Sequence, residues 1–185
     1  MKAYESRPTV SKLTASKPTT EFHRFLNQHV GIIRRICRVY TNDAEEYQDY
    51  FQEVVLQLWR SFATFRGEAQ ASTWVYRVTL NVCLSLIKRK KRRVEEVSLE
   101  PHHWNNVAHE AYDPTEEEQV RQLSAAVRQL KEIDRAIILL FLEGKKYEEI
   151  SDILGITLSN VGVKINRIKK QLNRLVHGRP ANTLA

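Results

Sequence analysis

The chain has 185 residues, 42% apolar and 28% charged, with a net charge of +7. That apolar share supports one ordinary domain or two small ones and excludes a wholly disordered chain. No stretch approaches the ~20 consecutive apolar residues of a membrane span, and the first twenty residues carry basic groups without an apolar block, so neither membrane insertion nor a secretory signal is expected.

Residues 1–20 read as a flexible tail rich in Ser, Thr and Lys. A helical module is expected over 21–93. Its first helix is drawn by Phe22, Phe25, Leu26, Ile33, Ile36, Cys37 and Tyr40, recurring at three- and four-residue steps behind a Thr19-Thr20 cap. Tyr47, Phe51, Val54, Leu58 and Phe62 repeat the period after Asn42-Asp43, which can cap a second helix. A turn at Phe65-Arg66-Gly67-Glu68 precedes a third helix, from about Ser72 into the cationic run Lys88-Arg89-Lys90-Lys91-Arg92-Arg93. On that helix Val75, Val78, Thr79, Val82 and Leu86 should pack inward. Trp74, Arg77, Asn81, Ser85 and Lys88 form a separate face, suited to stacking on bases and pairing with phosphate, with a half-buried Trp74 capping the core as the equal alternative for that residue.

Residues 94–119 read as a flexible acidic linker, with eight Asp and Glu and no Lys or Arg. Pro101, Pro114 and Asn105-Asn106 break any period there. His102, His103 and His109 lack a further ligand at suitable spacing, and Cys37 and Cys83 form no C-x-x-C pair, so no metal site or cofactor is expected. The flanking modules carry +6 (residues 21–93) and +5 (120–176), the pattern of two polyanion-binding units on an acidic, non-binding tether.

The second module, 120–176, opens with Leu123, Ala126, Val127, Leu130, Ile133 and Ile137, with a break expected near Ile133-Asp134. After a turn at Glu143-Gly144-Lys145, the segment from Tyr147 to Ile156 has helix-turn-helix spacing, with Gly155 at the sharp turn. Val161, Ile165, Ile168 and Leu172 give the last helix a narrow inner stripe. At 100° per residue the opposite face carries Ser159, Val163, Asn166, Arg167, Lys170 and Arg174, with Asn160 at its edge. Hydrogen-bonding and cationic groups near a helix start are what a major-groove recognition helix needs. Residues 177–185 form a short tail. The whole is expected to be all-α, two small helical domains joined by the linker, with no phosphate loop, zinc motif or nucleophile elbow.

The stretch Asp49-x-x-Gln52-Glu53-Val54-Val55-Leu56-Gln57-Leu58-Trp59, then Phe65-Arg66-Gly67-Glu68 and Ser72-Thr73-Trp74-Val75-Tyr76-Arg77-Val78-x-x-Asn81, resembles the second region of bacterial RNA polymerase sigma factors. Leu130 through the Tyr147-Glu148-Glu149-Ile150 helix-turn-helix to Leu172 resembles their fourth region, and the shortness of the chain matches the extracytoplasmic-function group. The resemblance implies a non-enzymatic promoter-specificity subunit in the bacterial cytoplasm. Asp49, Gln52 and Glu53 would dock on the clamp helices of the largest subunit of core RNA polymerase. Arg66, Gly67, Glu68, Ser72, Thr73, Trp74, Arg77 and Asn81, with Lys88, would recognise and melt the −10 element of promoter DNA. Ser159, Asn160, Val163, Asn166, Arg167 and Lys170 would read the −35 element. It also implies an anti-sigma factor as partner, in the family often membrane-anchored. Two positions depart from the family pattern: Ala71 where an aromatic residue is common, and Gly162 where Arg is common. On residues alone, a conventional helix-turn-helix regulator working without polymerase is the competing reading. A metal-dependent nuclease built on the carboxylates of Asp43–Glu53 is a poorer one, because Glu45, Glu46 and Asp49 fall on the solvent side of an amphipathic helix.

Overall fold

A computed structural model describes residues 17–65, 70–97 and 118–178. They form seven helices: α1 (Lys17–Tyr40), α2 (Ala44–Phe62), α3 (Ala71–Val97), α4 (Glu118–Arg128), α5 (Glu132–Leu142), α6 (Tyr147–Leu154) and α7 (Leu158–His177). There is no strand among the described residues.

Helices α1, α2 and α3 pack on one another, and α4 to α7 make a second bundle. The stripe of α1 is buried at Phe22, Ile33, Ile36, Cys37 and Tyr40. Its start differs from expectation: Thr19 and Thr20 lie inside the helix, which begins at Lys17. Pro18 suits that first turn, where a missing N–H costs nothing. Asp43 caps α2 as expected, its carboxylate accepting from the Glu46 N–H at 2.8 Å. In the second bundle Val161, Ile165, Ile168 and Leu172 are all buried, and Gly155 ends α6 with φ of 66°. That left-handed turn is where a Cβ would clash with the following carbonyl. The expected break near Ile133-Asp134 falls earlier, at residues 129–131. The Arg135 guanidinium donates there to the Arg128 and Leu130 carbonyls, satisfying orphan acceptors at the end of α4.

α3 departs most from its reading. Val75 and Thr79 are buried and Val78, Val82 and Leu86 half-buried, but Tyr76, Leu80 and Cys83 are buried too. Tyr76, Leu80, Leu84 and Ile87 form a second apolar stripe at helical spacing, ending at Lys91. Both ends of that stripe bond to the second bundle: the Tyr76 hydroxyl donates to Glu143 at 3.1 Å, and Lys91 pairs with Glu132. α3 therefore packs on α1 and α2 with one side and on α5 and α6 with another.

Candidate nucleic-acid interface

Three surfaces carry the residues singled out by sequence. On α2, Asp49 and Gln52 are exposed and Glu53 is half-buried. Leu56 and Trp59 continue their face at helical spacing and remain 40% and 43% exposed. Trp59 meets Phe22 of α1 edge-on at 5.1 Å. With Phe51 and Val55 they line an apolar hollow of about 410 Å³ beside Gln52. Two partly exposed large apolar groups beside polar ones give this face the apolar-centre, polar-rim composition common at protein interfaces. Sequence reasoning quoted Leu56 and Trp59 within the Asp49–Trp59 stretch but gave a role only to Asp49, Gln52 and Glu53.

At the start of α3, Ser72, Thr73 and Trp74 are half-buried, while Arg77, Asn81 and Lys88 are exposed. Of the two alternatives for Trp74, the structure has the half-buried one. Its ring stacks on Phe65 at 4.7 Å and meets Phe25 edge-on at 5.7 Å. Only part of the indole is left for a base. Arg66, Gly67 and Glu68 lie outside the described residues.

The cationic run does not act as one patch. Arg89, Arg92 and Arg93 line a groove of about 710 Å³ between α2 and α3, together with Asn81, Ser85, Gln57 and Glu53. Lys90 pairs with Glu46 at 2.9 Å, and Lys91 pairs with Glu132, whose carboxyl is pushed up by burial but carried below its ordinary range by that ammonium. Helical rotation explains the split, since six consecutive residues point all round an axis.

On α7, Ser159, Asn160, Val163, Asn166, Arg167 and Lys170 are all exposed, Val163 by 49%. Thr157 caps the helix, its hydroxyl accepting from the Asn160 N–H at 3.3 Å. Lys164 is drawn to α5 by Asp134 at 2.7 Å, which ties α7 to its bundle. Gly162 is half-buried, and a Cβ there would lie 3.8 Å from the Tyr147 ring, ordinary contact, so bulk is not excluded.

Residues 25–93 match the model of sigma-70 region 2, and residues 120–172 that of sigma-70 region 4. The chain belongs to the sigma-70 family. Its place in the extracytoplasmic-function group follows from its relatives. The ECF RNA polymerase sigma factor SigE of Mycolicibacterium smegmatis is 29% identical over 160 residues, covering 80% of this chain and 58% of that one. The RNA polymerase sigma-H factor of Pseudomonas aeruginosa is 24% identical over 161 residues, covering 82% and 81%. The sigma factor RpoE from Bartonella quintana, solved in complex with the anti-sigma factor NepR, has the same fold, with a TM-score of 0.67 at 16% identity over 86% of this chain and 99% of that one. CnrH, solved with the cytosolic domain of CnrY, matches with a TM-score of 0.61 at 16% identity, over 89% and 93%. Members of this family are transcription initiation factors rather than enzymes. In this sigma factor no described helix is long and apolar enough to cross a membrane.

Proposed function

We propose that this sigma factor binds core RNA polymerase in the cytoplasm and directs it to promoters carrying −10 and −35 elements. The observation that carries the reading is the exposed apolar pair Leu56 and Trp59 beside Asp49, Gln52 and Glu53, in the same chain as an open recognition helix. A conventional regulator that senses or dimerises through its first module does not need the Asp49, Gln52 and Glu53 face beside that pair.

In this reading α2 docks on the clamp helices of the largest subunit, through an apolar centre and a polar rim. Ser72, Thr73, Trp74, Arg77, Asn81 and Lys88, with Arg66, Gly67 and Glu68, recognise and open the −10 element. The groove with Arg89, Arg92 and Arg93 holds the sugar-phosphate chain, which positions DNA without reading it. Ser159, Asn160, Val163, Asn166, Arg167 and Lys170 read the −35 element. An anti-sigma factor is the expected regulator, supported by the solved relatives bound to such partners or captured as complexes.

The test is reconstitution with bacterial core polymerase and transcription from a genomic fragment library. The expected result is sigma-dependent starts sharing two motifs. Tight duplex binding without polymerase, and no polymerase-dependent starts, would leave the conventional regulator instead.

A further inference from the structure

Cys37 of α1 and Cys83 of α3 stand far apart in sequence and meet in the core of the first bundle. Both are free and fully buried, and their thiols hydrogen-bond to each other between the two helices. One turn before Cys83, on the same face of α3, stands Thr79, also fully buried. Its hydroxyl has no hydrogen-bond partner. Thr41, one turn after Cys37, is by contrast satisfied, its hydroxyl donating to the Cys37 carbonyl at 2.9 Å. A buried hydroxyl left unpaired costs stability, so one kept in a packed core calls for a role.

Two thiols in contact have a chemistry that neither has alone. No group of three or more His, Cys, Asp and Glu side chains able to hold a metal ion occurs among the described residues, so the pair does not belong to a metal set. The bond from Cys83 draws the Cys37 thiol below its ordinary range against the opposing effect of burial. The same bond, with burial, pushes Cys83 up. The pair is thereby divided into a better nucleophile, Cys37, and a partner that keeps its proton.

We propose that Cys37 and Cys83 form a peroxide-reactive site that closes to a disulfide between α1 and α3, with Thr79 as a positioning residue whose hydroxyl supports the attacking sulfur. The Cys37 thiolate attacks one oxygen of hydrogen peroxide, the O–O bond breaks and hydroxide leaves, so that Cys37 becomes a sulfenic acid. The Cys83 sulfur then attacks the Cys37 sulfur. The S–S bond forms, the S–O bond breaks, and the Cys83 proton departs with the hydroxyl as water. The two thiols lose two electrons, and the peroxide is reduced to two waters. Burial selects a small oxidant, because the sulfurs are reached only through local opening of the bundle. In a reducing compartment such a bridge is transient and reports oxidation rather than serving as a permanent staple. It ties to α1 the helix that carries Arg77 and Asn81.

The experiment treats the reduced full chain with hydrogen peroxide and follows intact mass, remaining thiols and non-reducing peptide maps. The expected product is a monomer lighter by two hydrogens, with both thiols blocked to alkylation and a Cys37–Cys83 link that dithiothreitol reverses. In Cys83→Ser the reaction should stop at a Cys37 sulfenic acid, which dimedone traps. In Cys37→Ser, Cys83 should react at least about tenfold more slowly. Thr79→Val should slow bridge formation about threefold yet melt no lower than wild type, because it removes an unsatisfied hydroxyl. The bridge closes a loop over residues 37–83, so the oxidised chain should melt at least about 5 °C above the reduced one. Thiols that stay reduced until the chain is unfolded, or links formed only between chains, would overturn the site. An oxidised form that melts lower would show that the pair is not placed to close. Cys83 reacting as fast in Cys37→Ser as Cys37 does in Cys83→Ser would overturn the division of roles. Equal rates in wild type and Thr79→Val would remove Thr79 from the site.

Discussion

The most informative single residue is Val163. An apolar side chain on a polar, outward face contributes nothing to the core beneath it, and an exposed valine in a major groove can meet a thymine methyl. Asn166, close by on that face, can pair with adenine. Val163→Ser and Asn166→Ala are each expected to relax the selected −35 motif at a different base pair, with a loss of about 1–3 kcal/mol for a bidentate contact. Arg167→Ala and Lys170→Ala should instead lower affinity for every −35 variant, as selection from a randomised −35 library by the reconstituted polymerase would register. This face was legible because a helix of known period and a clear inner stripe fix the orientation of everything else on it. The partners of Trp74 were not, because Phe25 and Phe65 come from α1 and the turn after α2, which no period on α3 reveals. Trp74→Ala should therefore cost about 2 kcal/mol of stability as well as promoter opening, since each aromatic pair adds about 0.5–1.5 kcal/mol beyond its area. Trp74→Phe should recover most of the stability. Thermal melts, read beside permanganate reactivity of thymines near −10, keep the two effects apart.

At the scale of the element, α2 presents one surface that should act as a unit. Leu56→Ser and Trp59→Ala are expected to weaken core polymerase binding at least about tenfold each, or about 1.4 kcal/mol. Leu56→Ser should leave the melting temperature nearly unchanged, whereas Trp59→Ala should lower it through the lost edge contact with buried Phe22, so affinities are compared at a temperature where both variants are folded. Equal affinity of these variants in a polymerase titration would remove the apolar hollow from the docking surface. α6 offers a pH test. The Glu149 carboxylate accepts from the Lys146 N–H at 2.9 Å and from the Lys145 ammonium at 3.0 Å, which hold it below its ordinary range. A carboxyl depressed by folding stabilises the fold above its unfolded value, about 4.3, and loses that contribution as pH falls through the lower folded one. Glu149→Gln should therefore melt below wild type at neutral pH, and the gap should close in strong acid. Sequence found the limits of α6 and α7 through Gly155 and the stripe of α7. It placed the break before α5 a few residues late, because the deciding group is Arg135, a side chain reaching back to carbonyls at the end of the preceding helix.

For the whole molecule, net charge overstates the footprint on DNA. Lys90 and Lys91 are paired with Glu46 and Glu132, whereas Arg89, Arg92 and Arg93 line the open groove. Neutralising those three arginines should flatten the salt dependence of promoter binding by about 0.9 log units per lost phosphate contact. Neutralising Lys90 and Lys91 should change the slope less, a difference that a titration from low to moderate salt detects. The two helical bundles could be read from composition and period. Their association could not, because Tyr76, Leu80, Leu84 and Ile87 look redundant beside the stripe of Val75, Thr79 and Leu86. Only the partner they cover explains why α3 carries apolar residues on two sides.

That second side has a thermal consequence. Parting the bundles would wet Tyr76 and Leu80, both now buried, and apolar surface released into water raises the heat capacity. The hold that this seam exerts must therefore weaken on cooling, as apolar association does. The polar bonds at its ends, to Glu143 and Glu132, carry no such dependence on apolar hydration. The seam between the two bundles should accordingly be held less firmly in the cold.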